Sequence, residues 1–327
     1  MNLDGLRPWG GLAGGSPESA DVVVAGIPYD GSAVYRKGAA LAPQRIRSLS
    51  AAMPPVTEDG WLLTGLQVAD LGDLDAGPDI ETGWSKVADQ LARVPPNALL
   101  TVLGGDHCTA ISTLSAQVKR HPDVAVLWVD AHPDLCEYSR GGRWTCGCAL
   151  RRAIDVSGLD PQRVIIAGGR DYDPEELEFI AANGMLLVST QELARDLTRS
   201  AEKIAARLAG HKVHVSFDID VLDPAFAPGT EIPSAGGVST RQALDLVRMA
   251  TESATLVGFD IVEVSPPFDS GDITTFAALK MIFEVWGMSW NASRHVQPAS
   301  SERAPTSSRR AAARVLGARA DQGHGKR

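Results

Sequence analysis

The arrangement of apolar residues along the chain is the feature that most constrains its fold. Short apolar runs are separated by segments with helical periodicity. Continuous apolar runs of strand length are typical of parallel strands whose two faces are both covered by helices. The alternation therefore predicts a three-layer αβα sandwich around a central, mainly parallel β-sheet. The predicted strands are Val22–Ile27, Ala98–Leu103, Val124–Asp130, Arg163–Ala167, Gly184–Ser189, Val213–Asp218 and Thr255–Ile261. The predicted helices are Ser85–Arg93, Ala110–Val118, Pro174–Ala182, Thr190–Ala209 and Thr240–Ala250.

Composition divides the chain into three parts. Residues 1–20 form an N-terminal extension, and residues 21–290 form the body that carries the strand and helix patterns. Residues 291–327 are rich in Ser, Ala and Arg and lack aromatic residues. This composition predicts a disordered basic tail.

Charge and cysteine usage narrow the classes of protein to consider. The net charge is −9, and the eight Lys and Arg from Arg294 onward stand against two acidic residues, so the remainder carries −15. An acidic body argues against nucleic-acid binding and suits metal ions and a cationic substrate. No run approaches the ~18 apolar residues of a membrane span, and the N-terminus lacks the pattern of a secretory signal. Together with only four cysteines, these features predict a cytoplasmic protein that binds neither membranes nor nucleic acid.

One motif, VAVLWVDAHPDLCEY, runs from an apolar strand into Asp130, His132 and Asp134. In extended chain, residues spaced by two project from the same face, so two carboxylates and an imidazole converge where the strand ends. Open α/β sheets place their ligand sites at this edge. In the structural alternative, one Asp caps the next helix and His132 is a core histidine.

Two further motifs add ligand-type residues at strand ends. In VHVSFDIDVLDPAFAPG, Asp218 and Asp220 share one face, and such paired carboxylates repel each other unless a proton or cation lies between them. Asp223 in the same motif is interpreted as a turn residue and His214 as a packed core histidine. In TVLGGDHCTAI, a Gly-Gly turn lets the backbone approach the site and brings His107 to the sheet edge.

Together these motifs predict a dinuclear metal centre. Carboxylate oxygens with some imidazole favour Mn²⁺, although Ni²⁺, Fe²⁺ and Zn²⁺ are also compatible with these donors. Two ions ~3.5–4 Å apart lower the pKa of a shared water toward ~7, which predicts hydroxide attack on a trigonal carbon. The predicted ligands are His107, Asp130, His132, Asp134, Asp218 and Asp220.

With GGDH, DAHPD and SFDIDVLDPAFAPG in this order, the body from about Val22 to Trp286 closely resembles the ureohydrolase family of agmatinases and arginases. Three other segments are more similar to the agmatinase branch than to the arginase branch. They are YDGSAVYRKGAALAPQRIR, GGRDYDPEE and GFDIVEVSPPFDSGDIT.

The resemblance implies an arginase-like αβα fold, two Mn²⁺ ions per subunit and hydrolysis of a guanidino compound to urea and an amine. It assigns Glu263 to holding the guanidinium, which agrees with the match between a carboxylate and a planar, multi-donor cation. The structural alternative is that Glu263 pairs with a buried arginine. Because members of the family usually form trimers or hexamers, the resemblance also implies a homo-oligomer.

Cys146 departs from the family pattern. Agmatinases usually have a His-Gly pair after DAHPD, whose histidine is thought to carry a proton to the departing amine, and here Cys146 in WTCGCALRR takes that position. Three interpretations remain open. Cys146 performs acid–base chemistry with a tuned pKa; the substrate has a better leaving group or supplies its own proton; or the protein is a catalytically impaired metal-binding paralogue.

A second departure concerns the residues expected at the mouth of the site. In APGTEIPSAGG, Glu231 and Ile232 replace a Gly-Thr of the agmatinase pattern. Glu231 either binds a cationic substrate tail or faces solvent. Arg140 and Arg143, in the segment after Cys136, instead favour a substrate that bears a carboxylate.

The sequence therefore predicts a dinuclear-metal hydrolase that acts on a linear guanidino compound. Agmatine is the nearest single guess, followed by guanidino acids. An amide or formimino hydrolase on the same scaffold is the enzymatic alternative.

Overall fold

The computed structural model describes residues 7–294, and within them a single eight-stranded sheet is flanked by α-helices. The strands are β1 Val22–Gly26, β2 Val68–Asp73, β3 Leu99–Leu103, β4 Ala125–Val129, β5 Val164–Gly169, β6 Leu186–Ser189, β7 Lys212–Asp218 and β8 Thr255–Val262. The helices are α1 Ala42–Ser50, α2 Ile80–Leu91, α3 Thr109–Arg120, α4 Ala149–Ser157, α5 Pro174–Ala182, α6 Thr190–Arg195, α7 Leu197–Leu208, α8 Thr240–Thr251 and α9 Ile273–Arg294.

The sheet has the strand order β2-β1-β3-β8-β7-β4-β5-β6, and every pairing is parallel. The strands β3, β8, β7 and β4 therefore lie side by side at its centre, although they come from distant parts of the sequence. Because parallel strands end at the same edge of a sheet, the residues that follow these four strands are brought together.

Both faces of the sheet are covered, as the continuous apolar runs predict. In β4, Leu127 and Val129 belong to one apolar core, whereas Val126 and Trp128 belong to the other. Helices α1, α6, α7, α8 and α9 contribute to the first core, and α2, α3, α4 and α5 contribute to the second. The predicted three-layer αβα sandwich is confirmed, and its sheet is parallel throughout.

Some predicted elements differ from the structure. The single helix predicted over Thr190–Ala209 is wrong, because Asp196 leaves helical geometry and its side chain caps α7 by accepting from the Arg199 backbone N–H at 3.0 Å. The sequence patterns do not predict strand β2 or helices α1, α4 and α9. Helix α9 continues to Arg294, four residues into the stretch assigned to the tail, and the remainder of that stretch lies outside the described residues.

Part of the N-terminal extension packs against the body. Trp9 is fully buried, its indole N–H donates to Asp70 at 2.9 Å, and its ring contacts that of Trp286. No helix in the described part of the chain is long and apolar enough to cross a membrane. All four cysteines are buried and free.

Candidate metal centre and substrate cavity

Residues from the four central strands meet at the carboxyl edge of the sheet. Asp130 directly follows β4, Asp218 is the last residue of β7, and Glu263 directly follows β8. His107 lies in the turn between β3 and α3. Each side chain thus stands where its strand ends and the backbone turns away, as the sequence predicts.

One group of ligand-type atoms surrounds the His107 imidazole. Its Nδ1 lies 2.9 Å from Asp130 Oδ2, 3.1 Å from Asp218 Oδ2 and 3.2 Å from Asp134 Oδ2. His107 and Asp130 are almost completely buried. Asp134 reaches this group from a backbone with φ +55°, a conformation that is costly for a non-glycine residue and is found most often at functional sites.

A second group shares Asp130 with the first. His132 Nδ1 lies 3.1 Å from Asp220 Oδ2 and 3.5 Å from Asp130 Oδ1. Ligand atoms of His107, Asp130 and Asp218 lie within 4.8 Å of one another, and so do those of Asp130, His132 and Asp220. Each of the two groups therefore has donors that could hold a cation, and Asp130 belongs to both groups.

Burial and the proximity of several carboxylates shift the pKa values of the residues in this cluster. Burial, followed by the charge of Asp130, raises the pKa of Asp134 to about 8. Burial also raises the pKa of Asp218, as does the repulsion of neighbouring carboxylates. Burial alone would lower the pKa of His107, but Asp130 and the carboxylates around it raise it well above its usual range. A bound cation would relieve the repulsion that raises the pKa values of Asp134 and Asp218.

The residues present fit a pair of divalent ions. His107 Nδ1 and Asp130 Oδ2 are buried and face each other at 2.9 Å, and within residues 7–294 neither has a hydrogen-bond partner when the imidazole is neutral. Such convergence of lone pairs is costly unless a proton or a cation lies between them, and it is typical of metal-binding donors. The donor set of four carboxylates and two imidazoles suits oxygen-preferring ions such as Mn²⁺.

His107 is oriented by polar side chains that the sequence analysis did not assign to the site. Its Nε2 lies 3.1 Å from Ser216 Oγ, and that hydroxyl donates to Asp260 Oδ1 at 2.6 Å. Because Ser216 uses its proton on Asp260, it accepts from His107 Nε2–H, which leaves the Nδ1 lone pair free for a cation. His214, correctly interpreted as a packed core histidine, contacts the other Asp260 oxygen at 2.7 Å. The sequence feature that could have identified Asp260 is its position as a charged residue inside the mainly apolar strand β8.

Glu263 is held rigidly beside the first group. Its backbone has φ +63°, and its N–H donates to the Gly105 carbonyl at 2.8 Å. Its Oε1 accepts from the His107 backbone N–H at 2.8 Å, whereas its buried Oε2 has no hydrogen-bond partner among residues 7–294. The alternative in which Glu263 pairs with a buried arginine is not observed among the described residues.

A cavity of 310 Å³ opens over these groups. Its floor includes His107, Asp218 and Glu263, and its walls are formed by loops from several strands. Arg140 lines the cavity, and its guanidinium has no hydrogen-bond or ion-pair partner within residues 7–294. Arg143 does not line it and is paired with Glu137. Acidic side chains also line the cavity, namely Asp171, Asp173 and Glu176.

Cys146 and Glu231, the two departures from the family pattern, contact each other in the cavity wall. Glu231 is only 2% exposed, so the expectation that it faces solvent is wrong. Its Oε1 accepts from the backbone N–H groups of Val34 and Tyr35 at 2.5 and 2.7 Å, which holds it inward. Its Oε2 accepts from the Cys146 thiol at 3.4 Å.

Comparison with known proteins identifies the family. The model of the Arginase family matches residues 20–287. The chain belongs to this family. It is similar to the proclavaminate amidinohydrolase of Streptomyces clavuligerus, with 36% identity over 81% of this chain and 87% of that protein. The solved structure of the proclavaminate amidinohydrolase from Streptomyces clavuligerus superposes on this chain with a TM-score of 0.81 and 33% identity. The alignment covers 89% of this chain and 99% of that one.

Two other members of the family extend the comparison. The human mitochondrial guanidino acid hydrolase is 32% identical over 83% of this chain and 78% of its own length. The structure of the agmatine ureohydrolase of Thermoplasma volcanium has a TM-score of 0.79 and 28% identity, and the alignment covers 89% of this chain and 96% of that one. These relatives agree with the resemblance to ureohydrolases and with the arginase-like fold.

Proposed function

We propose that this protein hydrolyses a guanidino compound to urea and an amine at a dinuclear metal centre. The observation that carries the proposal is the convergence of six ligand-type side chains beside Glu263, five of which line one cavity. The proposed ligands are His107, Asp130, His132, Asp134, Asp218 and Asp220. Two bound divalent ions would supply a water of pKa ~7 as nucleophile.

The protein itself binds and orients the substrate. A planar guanidinium presents paired N–H donors, and a carboxylate accepts them in a bidentate arrangement. We assign this contact to Glu263, whose buried Oε2 has no hydrogen-bond partner in the described part of the chain. The His107 backbone N–H and the backbone conformation of Glu263 fix this carboxylate. A guanidinium bound to it would therefore have its carbon held in one position over the two groups of proposed metal ligands.

For the substrate, we propose a guanidino acid. Arg140 places an unpaired cation on the cavity wall, where it can bind a carboxylate at the far end of a linear substrate. Relatives that act on guanidino acids support this choice. Agmatine is the second candidate, because the acidic residues Asp171 and Asp173 offer partners for an amine tail.

The remaining assignments are also proposals. Mn²⁺ is the proposed metal because carboxylate donors predominate, with Ni²⁺ as the alternative. A cytoplasmic location is supported by the four free cysteines. A homo-oligomer, trimer or hexamer, is supported by the resemblance to ureohydrolases. We propose no nucleic-acid or membrane partner.

An assay of urea release tests the reaction and the substrate together. The Mn²⁺-loaded protein is incubated with 4-guanidinobutyrate, 3-guanidinopropionate, agmatine, arginine and free guanidine. We expect urea from a guanidino acid, and we expect Arg140→Met to raise KM for that acid about tenfold, or about 1.4 kcal/mol, without raising KM for agmatine. Arg143→Met is the matched control, because Arg143 is paired with Glu137 outside the cavity.

Other outcomes identify the alternatives. Urea from agmatine alone, unaffected by Arg140→Met, would contradict the guanidino-acid assignment. Ammonia or formamide from amide or formimino substrates would identify the other hydrolase reaction. Two bound ions without turnover of any substrate would identify an impaired paralogue.

A further inference from the structure

The proposed reaction leaves one chemical requirement without an assigned residue. An alkylamine leaves as a neutral amine only if its nitrogen receives a proton as the C–N bond breaks. Glu263 is assigned to the guanidinium, and the histidine that agmatinases have near this position is replaced here by Cys146. The inference below rests on the proposed function and concerns the source of that proton.

Two further titratable groups stand next to Glu263. One ligand atom from each of Cys146, Glu231 and Glu263 lies within 4.8 Å of the other two, and all three residues line the cavity. A guanidinium held by Glu263 would therefore have the thiol and the second carboxyl group beside it. Asp173 and Glu176, two other acidic residues of the cavity, belong to a separate cluster with Cys136.

The position of Glu231 is fixed by its surroundings. The loop after β1 supplies two backbone N–H donors to Oε1, from Val34 and Tyr35. From the same loop, Arg36 donates to the carbonyls of Thr230 and Glu231 at 2.6 and 3.0 Å, which holds the backbone of the second loop. Within residues 7–294 the remaining oxygen, Oε2, has only the Cys146 thiol as hydrogen-bond partner, and that thiol also lies 3.4 Å from the Ser32 carbonyl oxygen. A carboxylate oxygen can accept a further proton beside that contact.

Of the two groups, the carboxyl is the better proton carrier. Burial, and then the charges of Glu263 and Glu231, raise the pKa of the Cys146 thiol well above its ordinary value, so the thiol keeps its proton. Burial also raises the pKa of Glu231, which brings this carboxyl closer to neutrality than an exposed glutamate. Proton transfer is most efficient when the pKa of the carrier lies near the working pH.

We propose that Glu231 carries the proton to the leaving nitrogen and that Cys146 orients its carboxyl group. As the water oxygen bonds to the guanidinium carbon, the Glu231 carboxylate takes one proton from that water. It then gives this proton to the substituted nitrogen. The C–N bond breaks, its electron pair remains on the nitrogen, and the products are the amine and urea protonated on oxygen. Protonated urea returns its extra proton to solvent, so atoms and charge balance.

Glu231→Gln tests this role, because the amide oxygen can still accept from Val34 and Tyr35 while the group no longer carries a proton. With the best substrate of the panel, we expect kcat to fall by ~10²–10⁴, the usual worth of acid–base catalysis. We expect KM to change by less than about threefold, or about 0.7 kcal/mol. Glu202→Gln, which changes an exposed carboxyl on α7, is the matched control.

A second variant distinguishes a proton-carrying role of Glu231 from a purely structural one. In the Glu231→Gln background, Cys146→His supplies an imidazole at the neighbouring position, and we expect it to restore kcat at least tenfold. A larger KM at unchanged kcat in Glu231→Gln would overturn the inference, because Glu231 would then only bind the guanidinium. Lost kcat without restoration by Cys146→His would also overturn it. If the wild type releases no urea from any guanidino compound, the proposed function itself fails; an active wild type with fully active Glu231→Gln refutes only this inference.

Discussion

At the scale of single residues, hydrogen bonds orient a ligand atom of the candidate metal centre before any ligand binds. The buried Asp260 accepts from Ser216, Ser216 accepts from His107, and the His107 Nδ1 lone pair is thereby turned toward the carboxylates. The hydrogen bond behind a histidine ligand fixes both its tautomer and the orientation of its ring. Three side chains at successive depths thus determine which nitrogen can bind a cation.

Ser216→Ala should therefore weaken metal binding without disturbing the fold. The variant removes the acceptor behind His107 Nε2 but changes little volume, and loss of such a partner typically costs 10–100-fold in metal affinity. A titration of the metal-free protein with Mn²⁺, followed by calorimetry, measures the change. Ser157→Ala, at the end of α4, serves as control. Equal affinity of Ser216→Ala and wild type would show that the hydroxyl does not orient His107.

At the scale of elements, one residue links the connection between α1 and β2 to two helices. Glu58 lies between α1 and β2 and accepts from Arg241 of α8 at 2.8 and 2.9 Å. Its backbone N–H donates to Glu284 of α9 at 2.7 Å. The hydrogen bond from Arg241 is the main reason why the pKa of Glu58 falls to about 2, and Arg248 lowers it further.

This depressed pKa gives a pH-dependent contribution to stability. The pKa of Glu58 is lower in the folded chain than its ordinary value of 4.5, so its ionised form stabilises the fold above that pH and the effect is lost as the pH falls toward 2. We expect Glu58→Gln to lower the free energy of unfolding by about 1 kcal/mol at pH 7, because surface ion pairs are screened by solvent. Urea denaturation at decreasing pH should show the difference between variant and wild type shrinking. A constant difference at every pH would contradict this account.

The sequence predicts best those elements whose residues are all buried to the same extent. The runs in β4 and β5 are buried along their whole length, so composition alone indicates a strand. In β2 the residues after Ala69 are half-buried or exposed, and Asp70 and Asp73 interrupt the apolar run, which weakens the signal. Helix α9 was missed because its segment is apolar around most of its circumference and lacks a clear helical stripe.

At the scale of the whole molecule, the sheet order explains which parts of the site were predictable. The metal-ligand residues follow three of the central strands, and a parallel sheet must bring such strand ends to one edge. The pairing of Cys146 with Glu231 depends instead on the conformations of two loops 85 residues apart and on a third loop at Val34. No local pattern encodes such contacts, so the two departures from the family pattern seemed unrelated until the fold placed them together.

Asp130 is the residue through which the central claim is tested most directly, because it belongs to both ligand groups. The measurement is the number of Mn²⁺ ions bound per chain together with the rate of urea release, for wild type and Asp130→Asn. We expect two ions and turnover of a guanidino substrate for the wild type. For the variant we expect at least one ion lost and, because metal catalysis is worth several kcal/mol, a rate lower by more than about 10²-fold. Undiminished urea release by Asp130→Asn, or by wild-type protein stripped of metal, would contradict a dinuclear centre as the source of activity.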